Sequence, residues 1–266
     1  MKEMNRLALL IVAVALLATS VPAHVFATET DERVESAAKK SYVFQTYLKD
    51  DAISIKSQDG NVTLTGTVTE ESHKSLAQET VSSLPGVTGV DNRLEANGER
   101  APENSDAWIA MNVKASLLFH RNLSASKTEV QVNDGVVTLR GKAASTAQKD
   151  LTTEYIKDVE GVKKVQNEMT VPKKPKGSTQ QTIGEKMVGV GESIDDASIT
   201  ALAKMTLMYH RSTSSLHTKV ETNKGLVTLT GTAKSASERD LVTKFVQDVH
   251  GVKSVVNTMT IEEPKP

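Results

Sequence analysis

Cysteine is missing from all 266 residues. No disulfide can brace this chain, no N-terminal cysteine can carry a lipid, and stability must come from packing. Aromatic side chains are scarce at 3%, with a single tryptophan, Trp108, so any role for an indole rests on one position. Neither sign of charge dominates, since 32 basic side chains face 33 acidic ones and the net charge is −1. That balance argues against a general nucleic-acid binder, which would carry a basic field. Long apolar runs are absent too, except "LALLIVAVALLA" at 7–18, whose 12 residues fall short of the about 20 needed to span a bilayer.

That run follows Lys2 and Arg6 and precedes "VFA" at 25–27, the pattern of a secretory signal peptide over residues 1–27 cleaved near Ala27. An uncleaved N-terminal anchor is the rival reading. Taking Lys2, Arg6 and Glu3 away leaves 30 basic and 32 acidic groups, a net charge of −2 on a mature chain expected to be soluble and periplasmic. No transmembrane span is expected in that mature chain.

What the chain has in abundance is repetition. "DGNVTLTGTV" (59–68), "DGVVTLRGKA" (134–143) and "KGLVTLTGTA" (224–233) are one phrase written three times. Repeats two and three align without a gap at an offset of 90, from Ile109/Ile199 to Met169/Met259. Repeat one joins at an offset of 75 from Asp59 onward, and its loop before the motif reads as several residues shorter. In each copy the motif glycine (Gly66, Gly141, Gly231) precedes a later glycine (Gly86, Gly161, Gly251) by 20 residues. The boundaries that follow are repeat one at 31–96, a linker at 97–104, repeat two at 105–172, a linker at 173–193 and repeat three at 194–262.

Within a repeat, helical spacing comes first: Val34, Ala37, Ser41, Phe44 and Leu48, then Ala110, Val113 and Leu117 in the second copy. Alternation follows, with Val130 and Val132, a turn at Asp134-Gly135, then Val137 and Leu139, which reads as a β-hairpin. A second helix carries Leu151, Ile156 and Val159, and the later glycine lies past its end, where a left-handed backbone suits glycine. "VKKVQNEMTV" (162–171) closes the unit as a third strand. The fold class is therefore α+β: three tandem αββαβ domains, each a three-stranded mixed sheet with two helices on one face. The motif glycines are expected to permit close approach of helix and sheet. Units of about 65 residues bury little surface alone, so contacts between repeats are expected to matter.

"DGxVTLxG" followed 20 residues after its glycine by "GVxxVxN", together with "IDDASITALAKMTL" (194–207), resembles the BON (bacterial OsmY and nodulation) domain family. The resemblance covers almost all of the mature chain as three copies, where the usual OsmY-like architecture has two. It implies an exported envelope protein without enzymatic activity that associates with phospholipid and supports envelope integrity under osmotic or other stress. A chaperone-like role toward unfolded exported clients is the alternative it implies. Anionic phospholipid or envelope proteins are the partners expected.

The residues themselves carry no evident catalytic set, and no metal site or cofactor is expected. His120-Arg121 and His210-Arg211 recur near the end of the first helix. They read either as a basic helix end favoured by the macrodipole or as contacts to phosphate headgroups. Asp195-Asp196 reads as a helix cap and Asp50-Asp51 as a solvated turn. Asn92, Asn167 and Asn257 recur in the third strand and are expected to bond backbone. Trp108 stands where repeat three has Ser198, which argues against a core position and suggests an exposed indole for a lipid interface or a partner groove; a hydrophobic staple is the other reading. Lys173, Lys174 and Lys176 form a small basic cluster that suits a solvated linker or an anionic surface.

Overall fold

The computed structural model describes residues 23–97, 101–172, 194–213 and 218–262. Repeat one comprises α1 (Ala23–Lys40), α2 (Tyr42–Thr46), β1 (Ala52–Gln58), β2 (Asn61–Val68), α3 (Glu71–Ser82) and β3 (Gly89–Ala96). Repeat two comprises α4 (Asp106–Phe119), β4 (Thr128–Asn133), β5 (Val136–Gly141), α5 (Thr146–Lys157) and β6 (Lys164–Asn167). Repeat three comprises α6 (Asp196–Tyr209), β7 (Thr218–Asn223), β8 (Leu226–Ala233), α7 (Ala236–Gln247), β9 (Ser254–Asn257) and β10 (Thr260–Ile261). Residues 1–22 of the expected signal peptide lie outside the described residues, and the cleavage point near Ala27 falls inside α1.

Each sheet is mixed, as the pattern requires. The central strand (β2, β5 or β8) runs antiparallel to its hairpin partner and parallel to the strand beyond the second helix. β10 adds a short parallel pairing to β8. One face of each central strand is sealed: Leu64, Leu139 and Leu229 are fully buried. The hairpin turns place Asp59-Gly60, Asp134-Gly135 and Lys224-Gly225 at positive φ, the geometry that matches strand twist.

An aspartate of each first helix, within α1 in repeat one and at the first position of α4 and α6, holds that turn. Asp31 accepts from the amides of Asp59 (2.8 Å) and Gly60 (3.0 Å), Asp106 from Asp134 (2.8 Å) and Gly135 (2.9 Å), and Asp196 from Lys224 (2.6 Å) and Gly225 (2.8 Å). The offset of 75 therefore extends back to Asp31/Asp106 without a gap, although the connection from helix to hairpin is shorter in repeat one, residues 47–51 against 120–127 in repeat two. What differs is the helix, which breaks at Ser41: its hydroxyl accepts from Phe44 N–H and starts α2. Across that helix Ala38 rather than Ala37 faces the core.

The motif glycines answer to a different constraint from the one expected. Gly66, Gly141 and Gly231 have φ of 119°, 126° and 124°. A Cβ on Gly141 would lie 1.9 Å from the carbonyl oxygen of Lys127, and one on Gly66 would lie 1.9 Å from that of Ala52. The conflict is with backbone leading into the paired strand, not with a helix. Gly86, Gly161 and Gly251 are left-handed, each three residues past the cap of its helix. There a Cβ on Gly161 would stand 2.8 Å from Ile109 of the first helix.

The three asparagines tie each third strand to its second helix. Asn167 donates to Lys149 O (2.9 Å) and Thr153 Oγ1 (2.8 Å) and accepts from Met169 N–H (3.0 Å). Asn92 and Asn257 repeat the arrangement. Asp51 is no solvated turn residue, because its buried carboxylate meets His73 Nδ1 at 2.6 Å and accepts from Thr69 N–H at 2.7 Å. Asp195 caps α6 as its spacing suggests, accepting from Ser198 N–H.

The repeats are packed helix against helix, and α6 is at the centre, touching α3 of repeat one and α4 of repeat two.

Candidate functional site between repeats two and three

His120 and His210 end α4 and α6 as their C-caps. Neither ring is open to solvent: the residues are 0% and 2% exposed. The two imidazoles meet across the repeats, Nε2 to Nε2 at 3.2 Å, so one ring donates a hydrogen and the other accepts it. Each stacks on an aromatic ring of a second helix, His120 on Tyr155 (4.3 Å) and His210 on Phe245 (4.0 Å). Each Nδ1 faces a carboxylate of the opposite repeat, His120 toward Asp248 at 3.5 Å and His210 toward Asp158 at 3.4 Å. Those separations lie within ion-pair range, but the geometry is not that of a hydrogen bond.

The arginines that follow complete a pseudo-twofold arrangement. Arg121 donates to Val252 O (2.9 Å) and Gln247 O of repeat three, and Arg211 donates to Val162 O (3.2 Å) and Lys157 O (2.6 Å) of repeat two. Backbone pairs match as well. Arg121 N–H reaches Asp248 O and Arg211 N–H reaches Asp158 O, both at 2.9 Å, while His250 N–H reaches Phe119 O and Glu160 N–H reaches Tyr209 O. A residue and its counterpart 90 positions later thus make the same contact in opposite directions. The interface is isologous in form, like that of a symmetric dimer, but built within one chain.

Burial is the largest influence on His210 and on His250. It holds His210 below the ordinary imidazole value, with Asp158 opposing the shift and His120 reinforcing it. His250 is lowered first by burial, and the charges of His120 and Arg121 add to this against Asp248. Asp158 loses solvent, which alone would raise it, yet the facing His210 ring and a bond from Ser212 hold it below the usual carboxylate range. The Tyr155 hydroxyl is pushed up by burial and by Asp248. The headgroup contact expected of His120 and His210 is not available to the rings in this arrangement, and Arg121 and Arg211 remain partly exposed. The rings are enclosed, and each guanidinium donates to two carbonyls of the opposite repeat.

Repeat one lacks this set. At the positions of His120, Arg121, Tyr155 and Asp158 it has Gln45, Thr46, Thr80 and Ser83. It docks differently, on α6. Tyr42 N–H donates to Asp195 Oδ2 (2.7 Å), Val43 N–H donates to Ser198 Oγ (3.0 Å), and Lys204 pairs with Glu79 (2.9 Å). Ser198 is consequently 0% exposed. The inference that serine there marks an open position fails, because a whole repeat covers it.

The matching face of α4 carries no repeat. Trp108 at the Ser198 position is half-buried, Met111 is half-buried and Lys114 is exposed, while at the far end of α4 Tyr47 of repeat one donates to Leu118 O at 3.3 Å. Trp108 packs one side against the core, and its amide donates to the Ser105 cap at 3.2 Å. Lys173, Lys174 and Lys176 lie outside the described residues. Beside the histidine pair, a cleft of about 350 Å³ opens between Leu151 and Leu241, floored by Tyr155 and Phe245 and edged by Lys244 and Arg211. Among the described residues no cluster of three or more His, Cys, Asp or Glu could hold a metal, and no helix is long and apolar enough to cross a membrane.

Three αββαβ units whose recurring polar side chains join one unit to another define a tandem-repeat α+β protein. The family model described as "BON domain" matches residues 30–98, 105–173 and 195–263, and the chain belongs to that family. It is 33% identical over 154 residues to the Osmotically-inducible protein Y of Escherichia coli (strain K12), covering 58% of this chain and 71% of that protein. It is 30% identical over 139 residues to a 21 kDa hemolysin of Actinobacillus pleuropneumoniae, covering 51% and 71%. Among solved structures, the C-terminal domain of CdsD, a structural protein of the type III secretion system of Chlamydia trachomatis, aligns over 83% of this chain and 96% of that one, at 15% identity and a TM-score of 0.23.

Proposed function

We propose that this is a non-enzymatic, exported protein that associates with anionic envelope phospholipid and supports the envelope under osmotic stress. The family membership of all three repeats and a relative named for osmotic induction support the class. The observation that carries the lipid reading is the unequal treatment of two equivalent helices. Repeat one covers Ser198 and Ala201 on the outer face of α6, whereas the same face of α4 stands open with Trp108, Met111 and Lys114 along it. An indole and aliphatic groups enter an interfacial layer, and a lysine beside them meets the phosphate. The linker lysines Lys173, Lys174 and Lys176 would add about 1 kcal/mol each near an anionic surface.

Liposome flotation tests this. The protein should float with anionic vesicles and not with neutral ones, with a fraction that falls as salt rises. Trp108→Ala should reduce binding while the repeat stays folded, with a melting temperature lowered only by the loss of its one packed side. Equal binding by Trp108→Ala would remove the site. Capture of denatured proteins with no dependence on lipid charge would favour the chaperone role instead.

A further inference from the structure

A buried pair of imidazoles holding two units together is a poor way to gain stability alone, since apolar residues of similar volume would pack as well. What imidazoles add is a response to protons in the physiological range. The facing Nε2 atoms, 3.2 Å apart, admit one hydrogen between them and not two. With both rings doubly protonated, two N–H groups and two positive charges would oppose each other in a site closed to solvent. We infer that the contact between repeats two and three is a proton-sensitive latch. It stays closed while His120 and His210 share one hydrogen between their Nε2 atoms, and acid opens it by adding another.

The surroundings fit this reading. Asp158 and Asp248 face the outer nitrogens, Arg121 and Arg211 lie beside those carboxylates, Tyr155 stacks on His120, and His250 stands next along the loop after α7. A first extra proton can settle on the bare Nδ1 that faces Asp158 or Asp248 and leaves the shared hydrogen in place, whereas a second puts hydrogens on both Nε2 atoms across 3.2 Å. Ser116 Oγ, 3.5 Å from His210 Nε2, lends one weak bond and no charge. The sign follows from the lowered position of His210 relative to its ordinary 6.5. The separated repeats bind more protons than the docked ones as pH falls, so docking is complete above about pH 6.5 and weakens below it. Repeat one, with Gln45 in place of histidine, carries no such pair, and its seat on α6 should not respond in this way.

Amide hydrogen exchange on the full chain tests the latch. The amides of Arg121, Glu160, Arg211 and His250, which cross the interface, should be protected at pH 7.5. They should lose protection by up to about tenfold per pH unit for each proton taken up as pH falls toward 5. Amides of β5 and β8 should keep theirs. The double variant His120→Gln/His210→Gln should dock at both pH values and show no such loss. Undiminished protection of the native chain at pH 5, or an identical acid loss in the double variant, would overturn the inference. Should the double variant fail to dock at all, ring titration of the native chain by nitrogen NMR decides. Rings that take up the extra proton with no loss of protection overturn the latch, and coincident midpoints support it.

Discussion

Gly141 shows how a recurring residue can serve a constraint that its spacing does not name. At φ 126° and 1.9 Å from a carbonyl oxygen, its Cβ has nowhere to go. Gly141→Val should destabilise repeat two by about 3 kcal/mol, the upper range for strained backbone, and an unchanged melting curve would refute the constraint. Ser198 is the opposite case, an unremarkable residue with a particular task. Its hydroxyl accepts from Val43 of repeat one and donates to Asp195, so Ser198→Ala should cost about 1–2 kcal/mol and loosen repeat one from α6. Exchange rates of the Tyr42 and Val43 amides check this directly; rates equal to those of the parent would contradict it.

At the scale of the element, strand and helix periods carry most of the information. The hairpins, the second helices and the cross-tie by Asn92, Asn167 and Asn257 are all legible because each joins residues within one repeat, a few to some twenty positions apart. Asn167→Ala should free β6 from α5 at a cost of about 2 kcal/mol, since two donors and one acceptor are lost together, with faster exchange at Met169 as the local sign. Exchange there equal to the parent's would count against it. The break at Ser41 and the buried Asp51–His73 pair are less legible. Each depends on what a side chain meets after folding, and no period encodes that.

Between repeats, local pattern says least. His120 and His210 stand out in the sequence as a repeated pair, but a partner 90 positions away is invisible to spacing along one helix. The one available signal was joint recurrence: His, Arg, an aromatic residue and Asp appear together in repeats two and three and are all replaced in repeat one. Removing the buried carboxylate leaves Arg121 and Asn122 without that partner, so Asp248→Ala should cost about 3 kcal/mol of docking and let repeat three melt apart from repeat two, whereas melting at the parent temperature would count against this contact. The same comparison between repeats exposes the open face of α4. Trp108 is the one tryptophan, so its emission reports on that face alone. The most direct measurement is therefore tryptophan fluorescence on adding vesicles: a blue shift with anionic lipid that fades as salt rises, and none with neutral lipid. Emission that stays unchanged while the protein floats with anionic vesicles would place the membrane contact elsewhere and contradict the account.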